Sequence, residues 1–63
     1  MKTVDLKTVR RARGYTLRQL ARQVGVTEMT LSRWERGATS LLLARREAVL
    51  RYLGLLHVDP RLL

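Results

Sequence analysis

Between Thr27 and Arg36 the chain reads Thr-Glu-Met-Thr-Leu-Ser-Arg-Trp-Glu-Arg. At about 100° per residue, Leu31 and Trp34 share one face of a helix, so Met29, Ser32, Arg33 and Arg36 fall on the opposite face with Glu28 and Thr30 on its flanks. The outward set combines a guanidinium, a carboxylate, hydroxyls and a thioether. That chemistry suits recognition through hydrogen bonds and methyl contacts. An arginine fork matches the two acceptors on a guanine edge, a carboxylate accepts from a cytosine amine, and a threonine or methionine methyl covers a thymine methyl. On this reasoning Thr27, Glu28, Met29 and Arg33 are the expected base readers, followed by Ser32 and Thr30. Glu28 equally fits as a complement to the positive end of a helix dipole. Met29 also fits as a tolerated surface residue, and Trp34 belongs to the core.

The residues that reactions require are missing from the pattern. His57 is the single histidine, there is no cysteine, and no paired acids or phosphate-cradling glycine loop occur. The expectation is therefore a non-enzyme without metal or cofactor. Charge points to a partner instead. In 63 residues there are 13 Lys and Arg against 5 Asp and Glu, a net charge of +8. Eleven of those cations are arginine, whose planar fork suits phosphates and guanine edges. Basicity alone is also found on membrane-surface helices. No stretch approaches the roughly 20 apolar residues of a membrane span, and the N-terminus lacks a signal-like apolar run, so an intracellular, soluble protein is expected.

The elements that must position these residues are marked by punctuation. Glycines at 14, 25, 37 and 54 read as helix stops, and Thr or Ser as starts. Leu, Val and Ala dominate the apolar set, Phe is absent and Pro60 is the only proline, so the chain reads as an all-α single domain over residues 1–63. The first helix is expected from about Val4 to Arg13, with Thr3 as N-cap and Asp5 in its first turn. Leu6 and Val9 form its inner stripe. Arg10 shares that face, which calls for an ion partner unless it lies at the surface.

The second helix opens on a capping box, Thr16 with Gln19, and a Tyr15–Leu20 staple, and closes at Gly25. The third starts at Thr27, with a Val26–Leu31 staple, and stops near Arg36 or Gly37. The fourth, from Ser40 or Leu41 to Leu53, has two apolar stripes: Leu42, Val49 and Leu53, then Leu41, Ala44, Ala48 and Tyr52. The surplus fits either a deeply wrapped helix or a subunit interface. Asp59 and Pro60 open a terminal turn ending at Leu63, giving five short helices in all.

Residues 16–37 meet the demands of two helices crossing closely around a sharp turn. Ala21 is small at the crossing, Gly25 tolerates positive φ at the turn, and Leu20, Val24, Val26, Leu31 and Trp34 are apolar where the pair must face the body. This is a helix-turn-helix, which presents its second helix to the major groove of duplex DNA.

From about Leu6 to Leu55 these residues resemble the domain of phage repressors and Cro proteins, the XRE family. The resemblance rests on Arg10, Gly14-Tyr15-Thr16, Leu20-Ala21, Gly25-Val26, Thr30-Leu31-Ser32 and above all Trp34-Glu35-Arg36-Gly37. It implies a compact five-helix lambda-repressor-like fold, binding to a double-stranded DNA operator, and a two-fold homodimer. It also implies an ion pair between Arg10 and Glu35, against the plainer reading of two solvated charges.

Phosphate contacts are expected from the second helix's amide end at Thr16 and Leu17, from Arg18, Arg22 and Arg36, and from Thr39 and Ser40. The chain departs from the family pattern at Leu17, where many relatives carry glutamine, and at Ala38-Thr39-Ser40, where they are basic; Arg18 or Arg22 would compensate. Arg11, Arg13, Arg45, Arg46 and Arg51 are assigned to solvated faces and electrostatic steering. The leading expectation is a transcriptional regulator acting as a repressor, controlled by its concentration or a partner if the chain is complete, or else the DNA-binding part of a longer regulator. The competing one is an antitoxin-like or adaptor module whose fourth helix and Leu62-Leu63 tail bind another polypeptide.

Overall fold

The computed structural model describes residues 5–63. Among them are four α-helices, α1 Leu6–Ala12, α2 Leu17–Val24, α3 Glu28–Glu35 and α4 Leu43–Leu53, followed by a single 3-10 turn, Pro60–Leu62. The expected fifth helix is therefore only this turn, opened by the Asp59 carboxylate accepting from the Arg61 amide. Three residues leave room for no more than one turn.

The helices begin where side-chain acceptors meet orphan amides. Thr16 Oγ1 accepts from the Gln19 amide at 3.0 Å while Gln19 Oε1 accepts from the Thr16 amide at 2.9 Å, completing the capping box of α2. Thr27 caps α3 by accepting from the Thr30 amide. For α1 the start differs from the expectation. The cap is Asp5, which accepts from the Thr8 amide and the Thr8 hydroxyl, so the helix begins at Leu6. Thr3 and Val4, the expected cap and first residue, lie outside the described residues.

The core joins all four helices around Trp34, Leu6, Leu20, Leu31, Leu53, Val24 and Val49, with Ala21 at the α2–α3 crossing. Val9, Tyr15, Val26 and Ala48 pack partly buried against it. The apolar stripes of α4 require correction. Leu41 is buried ahead of the helix, and Arg46 Nε donates to its carbonyl at 2.7 Å, which holds the approach extended and delays the helix until Leu43. Leu42 consequently stands at the cap rather than in the inner stripe and is 76% exposed. Leu50 is buried instead, while Ala44 and Tyr52 face out.

Candidate nucleic-acid interface

The presentation of α3 begins with its buried side. Leu31 and Trp34 are sunk in the core, which leaves Glu28, Met29, Arg33 and Arg36 exposed on the outer surface, with Thr30 and Ser32 partly covered. The C-terminal end is fixed by a glycine closure: the Ala38 amide reaches the Arg33 carbonyl at 2.8 Å and the Gly37 amide reaches Trp34 at 3.0 Å. A second anchor comes from α1. Arg10 Nε donates to Glu35 Oε2 at 2.8 Å, Nη2 to Oε1 at 3.3 Å, and Nη1 to the Tyr15 carbonyl at 3.0 Å. Both side chains of the pair are nearly inaccessible, at 7% and 5% exposure. A bidentate buried pair of this kind is directional, so it fixes the angle of α3 as well as its position.

The hydroxyls at the front of α3 are not equivalent. Thr27 Oγ1 accepts from the Thr30 amide and donates to Thr30 Oγ1 at 2.8 Å. Thr27 therefore offers a partner its methyl group, and Thr30 keeps the hydroxyl proton. Among the described residues Glu28, Met29 and Arg33 have no intramolecular side-chain bond.

Beside α3 lies an open cleft of about 710 Å³. Lys7 and Arg11 from α1, Thr16 and Leu17 from the start of α2, and Ser32 and Arg36 from α3 all line it. Asp5 and the mutually paired Arg10 and Glu35 line it too, so with Lys7, Arg11 and Arg36 around the helix N-terminus the concavity is positive on balance. The capping box occupies the Thr16 and Gln19 amides but takes no part of the Leu17 and Arg18 amides. Leu17 itself is half-buried, packed against the core while lining the cleft.

A helix-turn-helix family model matches residues 6–60, nearly the whole described chain. The chain belongs to the XRE-type helix-turn-helix family. Its members are DNA-binding regulators of the Cro and phage-repressor kind. No curated protein and no solved structure matches it.

Within this helix-turn-helix domain the structure brings Thr16, Leu17 and Arg36 to one cleft, with Ser32 between them and α3's outer face. Arg18 and Arg22 are exposed one turn apart on α2, and Thr39 and Ser40 are exposed in the α3–α4 connection, outside the cleft lining. Lys7, which sequence reasoning did not single out, and Arg11, which it assigned to a solvated face, also line the cleft; their i,i+4 spacing on α1 was the available signal. Of the arginines assigned to solvated faces, Arg13 and Arg45 are exposed and Arg46 is half-buried, and all three also clamp backbone carbonyls. Arg13 Nε donates to Leu53, Arg45 Nη1 to Val24 at 3.0 Å, and Arg46 to both Leu41 and Pro60. The Leu53, Val24 and Leu41 carbonyls lie at a helix end or connection, where the helix supplies no donor, whereas the Pro60 carbonyl also accepts from the Leu63 amide. No described helix is long and apolar enough to cross a membrane.

Proposed function

We propose that this domain is a transcriptional repressor that binds a double-stranded operator as a two-fold dimer, with α3 in the major groove of each half-site. The observation that carries this reading is the outer face of α3, held rigidly by Leu31, Trp34 and the Arg10–Glu35 pair while Glu28, Met29 and Arg33 point away from the body. Arg33 grips a guanine, Glu28 accepts from a cytosine amine, and Met29 with the Thr27 methyl covers thymine methyls. Thr30 and Ser32 contribute hydroxyl contacts at the flanks.

The backbone of the duplex is held beside this face. One phosphate enters the cleft against the Leu17 and Arg18 amides and the Thr16 hydroxyl, with Lys7, Arg11 and Arg36 around it. These α1 cations take the place of the glutamine that the family often has at Leu17. Arg18 and Arg22 grip a neighbouring phosphate, and Thr39 and Ser40 make lesser backbone contacts. Occupancy of a promoter then excludes polymerase.

Selection of bound sites from a random duplex library tests the whole reading. A palindromic motif with half-sites about one helical turn apart is the expected result. Recovery of sequences without a motif overturns sequence-specific repression.

A second reading, a protein-interaction module, is favoured by one observation: Leu42, Leu56 and Leu62 are each more than three-quarters exposed. Salt-sensitive duplex binding separates the two, because an adaptor without a DNA role gives none even at low ionic strength.

A further inference from the structure

Met29 stands 62% exposed on the outer face of α3 and belongs neither to the buried core nor to the residues packed against it. The chain has no cysteine, and its second methionine, Met1, lies outside the described residues. Met29 is therefore the one thioether among the described residues, with no thiol in the chain to react ahead of it. One turn further along the same face, Arg33 is exposed and among the described residues has no intramolecular side-chain bond. Side chains four positions apart on a helix are neighbours.

We propose that Met29 is a redox modification site, at which a peroxide switches the reading face of α3 off and a dithiol-dependent sulfoxide reductase switches it back on. The inference deepens the proposed function and rests on that reading for its effect on DNA.

The thioether sulfur attacks one peroxide oxygen. The O–O bond breaks, an S–O bond forms, and the departing hydroxide takes the proton of the transferred hydroxyl to leave as water. The sulfur loses the two electrons that the peroxide gains. In the return step two thiols supply two electrons and two protons, the oxygen leaves as water, and the reductant becomes a disulfide.

A single oxygen atom then removes two readers. The apolar thioether becomes a polar sulfoxide, which no longer suits a thymine methyl. Its oxygen is also an acceptor within a turn of Arg33, whose guanidinium donates to it in place of a guanine edge. Because Met29 supports none of the core, the fold survives the change. The cations of the cleft and α2 keep their charge, so attraction to duplex in general persists while selection among sequences is lost.

Hydrogen peroxide treatment of the full chain tests this, with peptide mass mapping of oxygen uptake at Met1 and Met29. In the folded chain Met29 should oxidise within about threefold of the rate of free methionine, with helical circular dichroism and melting unchanged. The Arg33 side-chain N–H resonance should shift. Affinity for the duplex recovered by site selection should fall about tenfold or more, in step with the sulfoxide at Met29 rather than at Met1. Affinity for random-sequence duplex at low salt should change by less than about twofold. Sulfoxide reductases with dithiothreitol should restore the loss. Met29→Leu has its own starting affinity, which peroxide should leave unaltered although Met1 still oxidises.

Oxidation at Met29 more than about tenfold slower than in the free amino acid overturns the site. So does a loss of affinity that follows Met1 or resists the reductases. Selective binding that survives complete oxidation of Met29 overturns the switch alone and leaves the DNA reading standing. Absence of selective binding in the untreated chain overturns the DNA reading and the switch with it, while the oxidation rate and the Arg33 resonance still decide the modification site.

Discussion

Arg10 is a charge in the apolar core, tolerated because each end of its guanidinium has an acceptor in Glu35 or the Tyr15 carbonyl. Removing the acid is therefore costlier than removing an exposed one. Glu35→Ala should destabilise by about 3–5 kcal/mol in chemical denaturation, because it strands a buried guanidinium. A loss below about 1 kcal/mol would assign the pair to the solvated class. Substituting both partners together by Met and Leu should recover much of the loss, since the desolvation cost then disappears with the charges. At the outer surface, Arg33→Ala should relax preference at one base position by about 1–3 kcal/mol, whereas Arg22→Ala should weaken all sequences alike. Uniform weakening from Arg33→Ala would move that residue to the phosphates.

Elements in this fold are set mostly by their ends. The α2–α3 turn shows how a helix end recruits a distant residue: Gly25 sits at φ +86°, and a Cβ there would meet Arg45 Nη1 at 3.1 Å. That guanidinium is bonded to the Val24 carbonyl beside it. Gly25→Ala should thus cost the strain of a left-handed alanine plus about 1 kcal/mol for the disturbed hydrogen bond. At Gly14, where a Cβ meets nothing within 4 Å, the strain stands alone. Thermal melts of both variants, repeated in an Arg45→Ala background, should bring the two costs together.

The α1 cap responds to acid. Hydrogen bonds from Thr8 hold the Asp5 carboxyl below its ordinary value of 3.8. A depressed folded value means that its contribution is complete above that ordinary value and is lost as pH falls through the lower one. Amide exchange at Thr8 should accelerate in acid over that window, and Asp5→Asn should remove the dependence while keeping a cap.

These ends also mark what the sequence disclosed. The boundaries of α2 and α3 were legible because a capping box or threonine cap, a staple and a glycine closure lie within a few residues of one another. The start of α4 was not, because it depends on Leu41 entering a core built from other helices. The Arg13, Arg45 and Arg46 clamps were invisible for a related reason: their acceptors are backbone carbonyls, which no residue type announces. On the site, the outward face of α3 followed from helical periodicity. The membership of Lys7 and Arg11 in the cleft beside α3 required the placement of α1 against α2.

For the molecule as a whole, a charge of +8 has been divided among tasks. Arg10, Arg13, Arg45 and Arg46 bond within the fold, and on the proposed reading the cations of the cleft and α2 are the ones that meet the polyanion. Operator affinity should therefore fall steeply with salt, by about a thousandfold or more between roughly 50 and 200 mM if six or more phosphates are neutralised. Lys7→Ala and Arg11→Ala should each reduce the slope of log affinity against log salt by about 1 per copy. An unchanged slope would remove α1 from the backbone contact.

The freedom of Glu28, Met29 and Arg33 from internal bonds has an evolutionary consequence. If they read bases as proposed, substitutions at these three positions rewrite which operator is chosen while folding stability stays nearly constant, so a duplicated copy diverges toward a new promoter one letter at a time. Thr27 and Thr30 lack that latitude, since their shared hydroxyl bond ties the chemistry of this end of the surface to the capping of the helix itself.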